Sequence, residues 1–229
     1  MCIDCCTLSN YHAIRTTAIE LNWTVSFPIT ASNPGTISGT ATHSLVADEP
    51  VDHVIFDTSF LTIKKAFFGS KVLEFTHAGR REPYGSALTI QLPKKLDKDE
   101  TTQVSIEYET TEQCTAIQWL NPGQTFGGKH PFLYVNLPRK HPVEFRRFSQ
   151  CEAIHARSML PCQDTPSVKA TFKAAIRSPL RVLTSGRQTS SQTHHDGTTT
   201  YYSSQPVPIP SYLITIAAGG SPFSYEMSL

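Results

Sequence analysis

Long apolar runs are missing from this chain of 229 residues. No stretch approaches the roughly 20 apolar residues that a spanning helix needs, so a membrane is not an expected partner. Charge is also scarce. Charged side chains make up 17% of the residues and the net charge is +1, which gives no electrostatic reason to expect nucleic acid as a partner. The compact motifs of familiar chemistries are absent too. No histidine is followed by glutamate and no two are one helical turn apart, so there is no zincin site. Gly-x-Ser-x-Gly, a Walker loop and Gly-x-Gly-x-x-Gly are likewise missing. Helical periodicity is almost nil.

The start, Met1-Cys-Ile-Asp-Cys-Cys-Thr7, has neither a basic segment nor an apolar one. No secretory signal is read there, and a cytoplasmic location is expected. Asn22-Trp23-Thr24 then counts as strand sequence rather than a glycan acceptor. Cys2, Cys5, Cys6, Cys114, Cys151 and Cys162 read as reduced thiols. The first three suggest a metal knuckle, but no second pair at finger spacing answers them, and no metal or cofactor is expected in this chain.

What is present has a period of two. Ile19, Leu21, Trp23, Val25 and Phe27 alternate with polar residues, as do Ile37, Gly39, Ala41, His43 and Leu45 after the turn Asn33-Pro34-Gly35. These two runs predict a hairpin. Further strands are expected at 54–56, 61–63, 72–75, 88–92, 104–108, 168–176 and 212–217. The Ser/Thr/His/Gly-rich stretch 189–200 reads as an exposed hairpin loop. The expected class is all-β, and the chain is large enough for a substantial core.

The densest chemistry lies in Ser149–Lys169, which holds Cys151, Glu152, His155, Arg157, Cys162 and Asp164. Cys151 and His155 are too far apart in an extended segment to act as nucleophile and base, so a packed thiol and a hydrogen-bonded histidine are expected. Arg157 is expected to pair with Asp164 or Glu152 and stiffen the loop. Asp164, before Thr165-Pro166, is read as a turn cap. Glu152 is read either as a partner of Arg157 or as a carboxylate offered to a cationic ligand.

These pieces carry a resemblance. Cys6-Thr-Leu-Ser-Asn-Tyr11, Ile37-Ser-Gly-Thr40, Ala116-Ile-Gln-Trp-Leu120, Gln124-Thr125, His130-Pro-Phe-Leu133, Ser149–Lys169 and Pro206-Val-Pro-Ile-Pro-Ser-Tyr-Leu213 occur in order along the chain. Together they resemble the N-terminal domain of the leukotriene-A4 hydrolase branch of the M1 zinc aminopeptidases. The resemblance implies a saddle-like domain with a large twisted mixed sheet and smaller packed sheets. It implies a substrate loop in which Glu152 holds the free α-ammonium of a peptide, Ala153 contacts substrate through its backbone and Gln150 lines the cleft. It assigns no catalytic or metal-binding residue to this chain, because the zinc-binding domain is not in the sequence, and the chain alone is expected to be inactive. Residues 1–220 are expected to form one β-domain. Tyr134–Arg147 reads as an insertion and Ser221–Leu229 as a divergent tail. Their abrupt edges suggest a truncated product of an unspliced message, with a natural regulatory insert as the alternative. Loss of a partner domain would expose one large apolar patch. A free-standing β-sandwich that binds peptide N-termini and a non-functional fragment are the competing readings.

Overall fold

The computed structural model describes residues 4–28, 35–125, 128–135 and 154–220. Its strands are β1 (Ile14–Ser26), β2 (Thr36–Ala47), β3 (Val51–Thr58), β4 (Leu61–Phe68), β5 (Lys71–Leu73), β6 (Phe75–His77), β7 (Ser86–Leu96), β8 (Thr101–Thr110), β9 (Ile117–Leu120), β10 (Phe132–Val135), β11 (Lys169–Ser178), β12 (Arg181–Thr184), β13 (Arg187–Thr193), β14 (Thr199–Pro210) and β15 (Ile216–Gly219). Three sheets result. An eight-stranded sheet runs β13-β14-β11-β1-β2-β8-β4-β5, a four-stranded sheet runs β12-β15-β10-β9, and a three-stranded sheet runs β3-β7-β6. The large sheet is mixed, because β1 and β11 are parallel. The expected all-β class and layered sheets are what the chain forms.

One face of the large sheet builds both cores. Ile37, Ala41, Leu45 and Ala47 of β2 alternate inward, as do Val104, Ile106 and Tyr108 of β8. On β1 the inward set changes parity, from Ile14 and Thr16 to Ile19, Leu21, Trp23 and Val25. The register irregularity between Thr16 and Ala18 supplies the extra residue that keeps both sets on one face. Leu21, Trp23, Ile37, Tyr108, Phe172 and Ile176 then pack with Ile117, Leu133 and Ile216 of the four-stranded sheet. Ile14, Leu45, Val104 and Ile106 pack with Val54, Phe56, Leu88 and Ile90 of the three-stranded sheet. Burial of each such aliphatic side chain contributes about 1.5–3 kcal/mol. Gly39 pairs with Trp23 at φ +150°, and a Cβ there would lie 1.9 Å from the Asn22 carbonyl oxygen. Only glycine fits this crossing of β1 and β2.

The predicted hairpin is present, with Ile19 opposite His43 and Val25 opposite Ile37. Three expectations need correction. The run 72–75 is split between β5 in the large sheet and β6 in the three-stranded one. The stretch 189–200 is mostly strand, since β13 and β14 pair up to a turn at 194–198 that closes through His194 N–H to the Thr198 carbonyl at 2.8 Å. Every side chain of β13 is exposed, so its polar composition concealed a backbone-paired strand. The run 212–217 is not one strand. A 3₁₀ turn at Ser211–Leu213 follows Pro210, and only from Ile216 does the chain pair in the four-stranded sheet. The exposed large hydrophobics among the described residues are Phe68, Val72, Val207 and Leu213.

His43 sits where the two cores meet. Its ring is fully buried against Phe56, with centroids 4.5 Å apart. Neither ring nitrogen has a hydrogen-bond partner among the described residues, and the nearby Pro161 backbone only partly offsets the effect of burial on its pKa. Burial lowers the imidazole pKa from 6.5 to about 4. The folded state therefore binds fewer protons than the unfolded chain between these values, and stability is lost as pH falls through that window. Urea unfolding at pH 7 and pH 4.5 is expected to show a loss of roughly 2–3 kcal/mol from this group. The pH dependence should shrink by that amount in His43→Leu.

Candidate functional site

The polar run singled out in the sequence is not a surface loop. Residues 156–165 are buried at every position. They fill the seam between the two smaller sheets. Ala156, Met159, Leu160 and Cys162 join the core beneath the four-stranded sheet. Cys162 exchanges backbone hydrogen bonds with Asp57 at the end of β3, at 2.7 and 3.1 Å. Ser59 N–H donates to the Arg157 carbonyl at 2.8 Å. Gln163 ties the same segment to β1, donating to the Ile14 carbonyl at 2.7 Å and accepting from Thr16 N–H at 2.8 Å.

At the centre stands Arg157, 1% exposed, in a 3₁₀ turn at Ala156–Ser158. Its Nε donates to Asp164 Oδ2 at 3.0 Å. Nη1 donates to the Tyr84 carbonyl at 2.6 Å and lies 3.5 Å from Asp57 Oδ1. Nη2 donates to the carbonyls of Cys6 at 3.0 Å and Asp164 at 3.1 Å. Asp57 also accepts from Leu8 N–H at 2.6 Å, from Asp164 N–H at 2.9 Å and from the Thr7 hydroxyl. Asp164 Oδ1 accepts from Ser211 Oγ at 2.6 Å. Three distant parts of the chain, at Cys6, Asp57 and Tyr84, thus converge on one guanidinium, and residues 7–8 and 211 bind its carboxylate partners. Burial pushes the Asp57 carboxyl up from its ordinary range, against the pull of Arg157 and of the hydrogen bonds from Thr7, Leu8 and Asp164.

Arg157 pairs with Asp164 as the sequence suggested. Asp57 was missed, although a carboxylate closing the apolar run Val54-Ile-Phe56 was a usable signal. Asp164 is not a turn cap, because its carboxylate is spent on Arg157 and Ser211. The Arg157 guanidinium is committed to Asp57, Asp164 and three carbonyls. The substrate-loop residues Gln150, Glu152 and Ala153, together with Cys151, lie outside the described residues. So do 136–147 of the expected insertion, whereas Tyr134 and Val135 belong to β10, where Tyr134 pairs with Gln118 and Ala217.

The described cysteines are free. Burial raises the Cys114 thiol and raises Cys162 further, with Asp164 and Asp57 nearby adding to it. Both are packing thiols rather than nucleophiles. Cys114 Sγ meets the Ser158 carbonyl at 3.0 Å, and Thr115 N–H donates to Ser158 Oγ at 3.0 Å. His155 reaches the Thr115 hydroxyl at 3.4 Å. The segment that contains the proposed substrate residues is therefore rooted at one end in β10 and at the other in the Arg157 network.

These features define a class: a β-domain of one large mixed sheet and two smaller sheets, locked at their seam by a buried ion network. The sequence matches the Peptidase M1 N-terminal domain over residues 9–213, and the chain belongs to that family. It is 41% identical over 218 residues to leucine aminopeptidase 2 of Coccidioides immitis, which covers 93% of this chain and 32% of the relative. It is 40% identical to leucine aminopeptidase 2 of Aspergillus fumigatus, with the same coverage. Among solved structures, native yeast LTA4 hydrolase superposes with a TM-score of 0.78 at 40% identity, over 95% of this chain and 30% of that one. The M1 zinc metallopeptidase of Deinococcus radiodurans, at 21% identity, shares the fold with a TM-score of 0.68. The chain spans about a third of the length of the curated relatives.

Removal of Arg157 would leave two buried carboxylates without their cation. Arg157→Met is expected to cost roughly 3–5 kcal/mol in urea unfolding. The exposed pair Arg15–Asp48, with side chains 49% and 35% exposed, sets the contrast, since Arg15→Ala should cost less than about 1 kcal/mol.

Proposed function

We propose that this chain is the substrate-recognition domain of an aminopeptidase or leukotriene-A4 hydrolase-like protein, and that it binds the free α-amino group of peptides. Glu152 supplies the carboxylate for the ammonium, Ala153 a backbone contact and Gln150 a polar cleft wall. Residues 1–220 form the β-domain, 134–147 an insertion and 221–229 a divergent tail. The hydrolytic zinc and its ligands belong to a further domain of a full-length relative, so this chain alone turns nothing over. A cytoplasmic setting suits the free thiols.

The observation that carries the reading is the Arg157 network. A recognition carboxylate works only if its backbone is held in place, because the binding energy would otherwise be spent on ordering the loop. A few residues after Glu152 the chain enters a fully buried, hydrogen-bonded segment. In a partly desolvated cleft, a carboxylate on an ammonium is worth about 1.5–3 kcal/mol. It also selects chain ends, since an internal peptide bond offers no cation.

Calorimetric titration of a free-amine peptide against its N-acetylated twin tests this. The free amine is expected to bind at least about tenfold tighter, and Glu152→Ala should remove the difference. Equal binding of both peptides would overturn the assignment of Glu152, and binding of neither would favour a non-functional fragment. A chromogenic aminoacyl amide should remain uncleaved by the chain alone.

A further inference from the structure

The segment whose Cys6 carbonyl accepts from Arg157 carries a second cluster. One ligand atom from each of Asp4, Cys5 and Cys6 lies within 4.8 Å of the others. Cys5 is exposed, while Asp4 and Cys6 are half-buried. Spacing alone had argued against a finger here, because Cys2, Cys5 and Cys6 lack a second pair. The fold adds a carboxylate and a fixed base. Asp4 N–H donates to the Tyr11 hydroxyl at 3.1 Å, and Cys6 N–H donates to Asp4 Oδ1 at 2.9 Å. The Cys6 carbonyl is held by Arg157 at 3.0 Å, and Leu8 N–H is held by Asp57 at 2.6 Å.

Adjacent thiols have few other uses. Consecutive Cα atoms across a trans peptide are about 3.8 Å apart, below the roughly 4.4–6.8 Å that a disulfide prefers. Cys5 and Cys6 are therefore poorly placed to oxidise to each other and well placed to share a cation. Two thiolates with one carboxylate favour a soft or borderline d¹⁰ ion over magnesium or calcium. Three protein ligands leave one tetrahedral position for solvent.

We propose that Asp4, Cys5 and Cys6 form a surface site for a thiophilic divalent cation of the zinc–cadmium class. On binding, both thiols release their protons to solvent and the thiolates bond the metal. The site rests on the same strut as the Arg157 network, so occupancy stabilises the fold from the N-terminal side.

Cadmium is the probe, read by sulfur-to-cadmium charge-transfer absorption in the ultraviolet. The reduced full chain is expected to take up cadmium saturably at this site, with a rise in Tm. Cys5→Ser, at an exposed position that the fold does not need, should weaken uptake by at least about tenfold, and the Cys5→Ser/Cys6→Ser pair should abolish both the absorption and the Tm rise. Cys114→Ser should leave both in place. An absorption or a Tm rise that survives the double substitution would overturn the site.

Discussion

A cation taken out of water imposes the tightest demand in this molecule. Moving a guanidinium and two carboxylates into a protein interior costs several kcal/mol per ion, and only dense pairing and hydrogen bonding offset it. Arg157 meets that condition through Asp57, Asp164 and three backbone carbonyls. Asp57, Tyr84 and Cys6 lie far from Arg157 along the chain, so the network can be satisfied only when those parts sit in one arrangement. The Arg157 geometry thus sets where the N-terminal segment, the end of β3, the loop at Tyr84 and the turn at Ser211 lie relative to one another.

The hydrophobic layers explain why the network lies where it does. A single long sheet offers one apolar face, and two shorter sheets cover its halves. Where the two covers abut, some backbone must run between them with its polar groups satisfied. Residues 156–165 do so, bridging to Asp57 on one side and contributing Met159 and Leu160 to the core on the other. His43 marks the same seam from the large sheet.

Much of the architecture was legible in the residues because half-buried strands print their burial as alternation. Ile19 to Phe27 and Ile37 to Leu45 gave both the strands and their pairing. The pattern was silent where burial was uniform or nil. β13 is exposed on every residue, and its backbone pairing left no trace in composition. Pro210 and the turn at Ser211 broke what looked like one continuous strand, because the chain there leaves one sheet for another. The carbonyls of Cys6 and Tyr84 were invisible as partners of Arg157, since backbone acceptors carry no sequence signature and the contacts span most of the chain.

Local chemistry alone determined the all-β class, the main hairpin and the dense polar run, and narrowed the partner of Arg157 to Asp164 or Glu152, because each depends on neighbours within a few residues or on the period of two. The burial of that run, the second carboxylate from β3 and the anchoring of the Asp4–Cys6 segment to Arg157 were decided by tertiary structure. Those features arise only when three sheets close around a shared seam, and the cost of burying charge selects the arrangement in which the Arg157 guanidinium is paired on all three of its nitrogens.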